Sequence, residues 1–253
     1  MTQDNSSPSS RIFASPAVAA LDVLATVRKS PPVRQIQNVG GNLISLFPSA
    51  KTGKIIQCES LPEATHVILL EYDPSVVAFY DQPLKIPITR AVNQSVRHTT
   101  HVPDFLVQRT DRIGFEEVKP QAAYDRDRDK IEEKIYQARQ WAEARGLYYE
   151  FITEERWPDS TTLENIQFLA CFRFRPRILD EVGTLLRDVV DMDPGISVHD
   201  LAHAIDVFAP EELLPCIWHL SFRQQFALDL STRLLRHGGL EQFPVYPRLI
   251  PYR

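Results

Sequence analysis

The chain has 253 residues, 43% apolar and 24% charged, the balance of an ordinary globular protein with room for one large domain or two modest ones. A formal net charge of −5 argues against a protein that coats nucleic acid by charge alone, although carboxylates gathered to hold a cation lower that figure without excluding a nuclease. The absence of any run of about 18 apolar residues excludes a transmembrane helix. The polar, Ser-rich start does not read as a signal peptide, and Cys58, Cys171 and Cys216 read as free thiols in a reducing cytoplasm.

In chain order, residues 1–14 are expected to be a disordered tail. Ser15-Pro16 supplies an N-cap and a first-turn proline for a short helix through Ala20, Leu24 and Val27, stopped by Pro31-Pro32. Residues 34–47 alternate enough for one or two strands, Lys51-Thr52-Gly53-Lys54 is a turn, and Ile55-Ile56-Gln57-Cys58 is strand-like. Ser60-Leu61-Pro62-Glu63 opens a helix that Asp73-Pro74 ends. Short strands are predicted at 76–80 and 84–86, the second closed by Pro87, with a polar loop over 90–100.

Two strands then follow, Asp104-Phe105-Leu106-Val107 and Gly114-Phe115-Glu116-Glu117-Val118, near enough in sequence to form a hairpin. The strongest helical pattern covers 125–145, where Ile131, Ile135, Ala138 and Trp141 or Ala142 recur at helical spacing before Gly146 at the C-cap. Residues 148–152 read as another strand, giving an α/β order built on a mixed sheet. Beyond residue 161 the pattern turns helical, with helices expected at 161–172, 178–190, 197–205, 210–221 and 231–236. A boundary at Arg175-Pro176 divides the chain into domains at 15–175 and 176–253.

The chemistry is concentrated in Pro103-Asp104 and, thirteen residues on, Glu117-Val118-Lys119. On a hairpin, an aspartate at the start of one strand faces an acid near the end of its partner. Glu117 and Lys119 are two apart and share a strand face, whereas Glu116 points away and is the poorer candidate. Two carboxylates so placed hold a hard divalent cation, with Mg²⁺ the natural occupant and Mn²⁺ able to substitute. A lysine beside that cation suits phosphoryl chemistry, orienting water or steadying charge on phosphorus. Glu63 has two readings: Ser60-x-x-Glu63 is a capping box, and the same helix can bring a third carboxylate to the metal.

From about residue 34 to 175 the chain resembles the TnsA family, the endonuclease subunit of heteromeric transposases, within the PD-(D/E)xK nuclease superfamily. The segments that carry the resemblance are Lys51-Thr52-Gly53-Lys54, Glu59-Ser60-Leu61-Pro62-Glu63, Leu70-Glu71-Tyr72-Asp73-Pro74-Ser75-Val76, Gln82-Pro83, His101-Val102-Pro103-Asp104-Phe105-Leu106-Val107 and Glu117-Val118-Lys119-Pro120. The resemblance implies a restriction-endonuclease-like mixed-sheet core followed by a helical, winged-helix-like C-terminal domain. It implies catalytic residues Glu63, Asp104, Glu117 and Lys119, and metal ligands Glu63, Asp104, Glu117 and the carbonyl of Val118. Some family members carry glutamine where this chain has Glu117, which adds a negative charge here and leaves the number of metal ions open. The partners implied are the DNA of transposon ends, an integrase-type TnsB-like transposase that cuts the other strand, and an AAA+ TnsC-like regulator. The place of action is the bacterial cytoplasm, at the nucleoid.

Other features read more plainly. His98 is expected in a solvated loop, and His101 beside the site or in a structural role, since no further ligand lies at zinc spacing. Gln82 is expected to serve placement at a strand end. Arg126, Arg128, Lys130, Lys134 and Arg139, interleaved with acids, read as a solvated helix face with some reach for DNA phosphates. No phosphate-binding Gly-rich loop or nucleophilic-serine elbow is present. In the C-terminal region a helix capped by Ser197, a second helix from Pro210 and a short strand at 226–230 follow a winged-helix order. The second helix opens on Glu211-Glu212 and lacks base-reading side chains, so a protein partner anchored on Trp218 or Phe222 is favoured over sequence-specific DNA contact. The alternatives are a stand-alone repair or restriction nuclease, and a DNA-binding scaffold without catalysis.

Overall fold

A computed structural model describes residues 15–34, 44–92, 95–234 and 243–248. Helix α1 (Pro16–Lys29) starts behind Ser15 and buries Ala20, Leu24 and Val27, as the spacing predicts. The expected tail at 1–14 and residues 35–43 of the next segment lie outside the described residues. Strand β1 (Ser45–Pro48) pairs antiparallel with β2 (Ile55–Cys58) across the expected turn. Helix α2 (Leu61–Tyr72) follows, with Ser60 as its N-cap.

The motif residues around this turn tie it to the end of α2. The Lys51 ammonium donates to the carbonyl of Leu70 at 2.8 Å and to that of Asp73, satisfying helix-end acceptors. Glu71, buried, accepts from Ser49 Oγ at 2.6 Å and from the N–H groups of Ala50 and Lys51 at 2.9 and 3.1 Å. Burial lowers the Lys51 ammonium to about 8 despite Glu71 and Asp73 nearby. These roles are structural.

The central sheet comprises β3 (Val76–Asp81), β6 (Phe105–Arg109), β7 (Ile113–Val118) and β8 (Tyr148–Ile152), in the order β3–β6–β7–β8. The first two pairings are antiparallel and β7–β8 is parallel, the mixed sheet expected from the sequence. A parallel neighbour requires a crossover. Helix α3 (Gln121–Glu143) supplies it, with a non-helical residue at Asp127. The chain turns back through Gly146 at φ +68°, where an added Cβ would lie 2.6 Å from the Pro16 carbonyl oxygen, so glycine is required twice over. One face of the sheet packs Leu106, Phe115 and Tyr149 against Ile135, Ala138 and Ala142 of α3 and the buried stripe of α1. The other packs Phe105, Val107 and Val118 against α2 and β2.

Residues 84–101 depart from the sequence expectation. Strand β4 (Ile86–Val92) and β5 (Ser95–His101) form an antiparallel ribbon of seven paired positions, in place of a strand closed by Pro87 and a polar loop. Ile86, Ile88, Val92, Val96, Thr99 and Thr100 favour extended backbone. Pro87 is tolerated because the ribbon has only two strands, each with an edge that needs no N–H donor.

The C-terminal part contains α4 (Ser160–Ala170), α5 (Leu179–Met192), β9 (Ile196–Ser197), α6 (Val198–His203), α7 (Pro210–Phe222), β10 (Phe226–Ala227) and β11 (Pro244–Pro247). The strands form an antiparallel sheet in the order β10–β11–β9. Ser197 caps α6 as expected. Residues 231–234 are turn and bend rather than the expected helix, pinned by Asn165, and 235–236 lie outside the described residues. Leu169 and Ala170 of α4 belong to the core built by α5, α6 and α7, and Ile68 and Tyr72 of α2 pack against it. Trp218 and Phe222 sit inside that core, 2% and 1% exposed, Trp218 edge-on to Phe168 with centroids 5.4 Å apart. They are therefore not surface anchors: the apolar face of α7 is spent on its own fold. No helix among the described residues is long and apolar enough to cross a membrane.

Candidate active site

The β6–β7 register sets Phe105 opposite Glu116, so Asp104, one residue before β6, lies beside the end of β7. The Val118 N–H donates to Asp104 Oδ2 at 2.8 Å, fixing that carboxylate against the strand. Lys119 N–H donates to the Ile152 carbonyl at 3.0 Å and carries the β7–β8 pairing one residue further. Alternation turns Glu117 and Lys119 to the face of Phe115, and Glu116 to that of Val118.

The Lys119 ammonium lies 3.5 Å from Glu117 Oε1 and 4.0 Å from Asp104 Oδ2. Burial works against its charge, but Asp104, Glu117 and Glu63 together outweigh burial and raise its pKa above the ordinary value. The Asp104 carboxyl is pushed up to about 8, first by burial and then by Glu117 and Glu63, with Lys119 and the Val118 N–H opposing. Its side chain is still 20% open to solvent, so a cation or a phosphate can reach it. Negative charge here exceeds what one lysine neutralises.

Glu117 is 3% exposed. Tyr149 Oη donates to its Oε2 at 3.2 Å, and His101 Nε2 stands 3.2 Å from the same oxygen and 2.7 Å from Tyr149 Oη. The 2.7 Å contact between ring and phenol is a hydrogen bond whose direction follows the tautomer of His101. Burial, then Glu117 and Asp104, hold the Tyr149 phenol far above its ordinary pKa, so it remains a neutral donor. His101 thus flanks the site, as one of its two expected roles had it. His98, expected in a loop, is exposed on β5.

Glu63 keeps both of its readings. Its N–H donates to Ser60 Oγ at 3.3 Å, and its carboxylate accepts from Ser60 Oγ at 2.9 Å and from the Glu59 N–H at 2.8 Å. Burial raises its pKa, Glu117 adds to that, and Ser60, Lys119 and Arg34 oppose, so it shares the field of the site while capping α2. Beneath it the Cys58 thiol, fully buried, is pushed up to about 12 by burial and by Glu63, Asp81 and Asp104, which leaves it inert. Gln82, at φ +41°, donates its N–H to the Asp104 carbonyl at 2.8 Å and its amide to Glu59 at 2.7 Å. Its Oε1 is buried with no hydrogen-bond partner among the described residues.

Glu116, fully buried, takes His66 Nε2 at 2.7 Å, Arg109 at 2.9 Å and Tyr148 Oη at 2.8 Å. Burial opposes its charge, yet His66 and Arg109 prevail and hold the carboxyl down at about 2. Arg109 continues to Asp73 at 2.6 Å. This is a structural network under α2, on the opposite face of the sheet from Glu117.

The donor set of Asp104, Glu117 and Glu63 is hard carboxylate oxygen, which suits Mg²⁺ or Mn²⁺ in chemistry and in charge. Among the described residues no three His, Cys, Asp or Glu side chains converge closely enough to grip an ion as they stand, and Glu63 is engaged by its cap.

Residues 73–154 match the family model described as TnsA-like endonuclease N terminal. The chain carries a TnsA-like endonuclease domain. The match spans Asp104, Glu117 and Lys119 together with His101 and Tyr149; Glu63 precedes it and the C-terminal helices follow it. No curated protein matches the chain. Within the TnsA-like domain, the residue that sequence reasoning missed is Tyr149, taken only as part of a strand. Its signal was a polar side chain at an inward position of a buried strand beside the acidic one.

Proposed function

We propose that this protein is the Mg²⁺-dependent DNA endonuclease subunit of a heteromeric transposase, hydrolysing phosphodiesters at the 5′ ends of a transposon during cut-and-paste transposition. The observation that carries the reading is the juxtaposition of Asp104, Glu117 and the Lys119 ammonium at the solvent-open end of the β6–β7 hairpin, inside the TnsA-like match.

Asp104 and Glu117 would hold the cation, with Glu63 and the Val118 carbonyl as further oxygen donors. A divalent ion bound there supplies charge for the phosphate and acidity for water. Lys119 contributes a fixed positive charge toward phosphate oxygens and steers the attacking water. Tyr149 and His101 hold one oxygen of Glu117, which keeps the other directed to the Lys119 side. The excess of carboxylate charge disfavours ionisation of Asp104 until a cation arrives, which supports a metal-loaded working state.

The order α5–β9–α6–α7–β10–β11 with strand order β9–β11–β10 supports a winged-helix reading of the C-terminal part. The acidic start of α7 at Glu211 and Glu212 and the scarcity of base-reading side chains there favour docking on an AAA+ regulator over reading of a DNA groove. The other partner is an integrase-type transposase, cutting the second strand.

The test is cleavage of transposon-end DNA by the full chain with the partner transposase and Mg²⁺. Asp104→Asn and Glu117→Ala are each expected to lose at least about a hundredfold in 5′-strand cleavage, beyond what loss of an outer-shell group costs. Near-wild-type cutting by either folded variant would reject the assignment.

A further inference from the structure

We infer that the β4–β5 ribbon is an arm that lies along the phosphate backbone of the duplex entering the site, an inference that rests on the nuclease reading above. The chain as a whole holds 33 acids against 28 bases, yet residues 82–103 contain no aspartate or glutamate and carry Lys85, Arg90 and Arg97 together with His98 and His101. Lys85, Pro87 and Thr89 are exposed, and so is every residue from 96 to 100. Among the described residues neither Lys85 nor Arg97 has an ion-pair partner.

Placement points the same way. β5 ends at His101, which touches Glu117, and three residues on lies Asp104, so the ribbon is rooted at the catalytic carboxylates. Seven paired positions at about 3.4 Å each give it a length of roughly 20 Å. A lone two-stranded ribbon is marginal by itself. This one is held at its base by buried Ile86 and Ile88 and by Gln137 of α3, which accepts from Thr89 N–H at 2.7 Å and donates to its carbonyl at 2.7 Å. Rigid at the root and cationic along its exposed length, it has the dimensions of an element that a DNA groove admits.

A plainer explanation of the charges is protection of free strand edges against aggregation. Either sign of charge serves that purpose. A stretch of 22 residues with cations alone, in an acidic protein, selects for an anion.

The experiment measures binding of the full chain, without added metal, to a random-sequence duplex several helical turns long, by fluorescence anisotropy over a range of salt. For Lys85→Ala/Arg97→Ala the slope of log Kd against log salt is expected to fall by about 2, with weaker binding irrespective of sequence. Lys85→Arg/Arg97→Lys should keep the wild-type slope. In the cleavage assay the alanine pair should raise KM for DNA and leave kcat intact. An unchanged slope in the alanine pair, with wild-type binding present, overturns the arm and leaves the nuclease reading standing. A fall in kcat at saturating DNA also overturns it, since the ribbon would then be shaping the site. Failure of the wild-type chain to bind duplex DNA at low salt removes both.

Discussion

Glu116 and Glu117 are neighbours in sequence that lie on opposite faces of β7, and replacing each by glutamine should have opposite consequences. Glu116 is fully buried and held at about 2 against an ordinary 4.5 by His66 and Arg109. A depression of that size corresponds to about 3 kcal/mol favouring the ionised, folded form. The folded value lies below the unfolded one, so this contribution is complete above about pH 5 and disappears as the pH falls through about 2. Glu116→Gln leaves Arg109 and His66 facing a neutral amide within the buried network, a change that costs about 3–5 kcal/mol when one partner of a buried pair is removed. Against a typical stability of about 5–15 kcal/mol, the variant should fold when cold and melt early. Glu117→Gln removes a buried charge that helps to push Asp104 up to about 8, so the metal-free protein should keep or gain stability.

The assay is urea unfolding of both variants and wild type at pH 7 and at pH 3, with cleavage measured at low temperature. Going to pH 3 removes much of the stabilising Glu116 contribution by protonation in wild type, while the raised Asp104 carboxyl works the other way in wild type and Glu116→Gln alike, so the readout is the difference between these two proteins, about 2 kcal/mol. Glu116→Gln, having already lost this carboxylate, should weaken less, and where it is folded it should cut DNA. An inactive but folded Glu116→Gln, or a loss of more than about 1 kcal/mol of metal-free stability in Glu117→Gln, would overturn the division of roles between the two faces.

Glu63→Gln keeps a side chain able to cap α2 and removes its charge, so stability should change by less than about 1 kcal/mol while cleavage falls; normal cutting would leave Glu63 as a cap only. Tyr149→Phe removes the donor that holds Glu117 Oε2 at 3.2 Å. It should weaken Mn²⁺ binding about 10–100-fold by calorimetry, with activity recovering at high metal, and unchanged binding would make Tyr149 a packing residue. Asn165 is buried and serves the carbonyls of Leu230 and Thr232 at 2.8 Å each and the Leu234 N–H at 3.0 Å. Asn165→Ala should cost about 2–4 kcal/mol in thermal or chemical unfolding, and a cost near zero would show that water replaces all three bonds.

The central sheet was legible because its residues obey local rules that tertiary packing did not overturn. Phe105, Leu106 and Val107 run on uninterrupted because both faces of the sheet are covered, and the Ile135, Ala138 and Ala142 stripe of α3 lies where its helical period places it. The ribbon was hidden because Pro87 is a breaker only where an N–H is demanded, and whether an edge is free is a property of the sheet, invisible in a window of sequence. The fate of Trp218 was hidden for a related reason. An apolar helix face says that something covers it, and only the packing of Phe168 and Phe172 shows that the cover is the chain's own α4.

Glu63 shows where sequence and structure meet the same limit. Ser60-x-x-Glu63 writes a cap: Ser60 Oγ accepts from the Glu63 N–H, while the Glu63 carboxylate takes the Ser60 hydroxyl and the Glu59 N–H in place of the Ser60 N–H of a full capping box. The acidic role rests on a field shared with Asp104, Glu117 and Lys119, seen in what raises Glu63 and what raises Lys119. The two roles compete for one carboxylate, since an oxygen bound to the Glu59 N–H has fewer lone pairs for a cation. A ligand recruited from a helix cap would couple metal occupancy to the N-terminal turn of α2. The other end of that helix, at Tyr72, packs on Phe222 of α7 with centroids 5.6 Å apart. The assignment of Glu63 therefore also decides whether the first turn of α2 loosens when metal binds. Hydrogen exchange at the Glu59 and Glu63 amides, with and without Mn²⁺, should show faster exchange in the loaded protein if Glu63 leaves its cap. Unchanged protection together with full metal affinity in Glu63→Gln would confine the cation to Asp104 and Glu117.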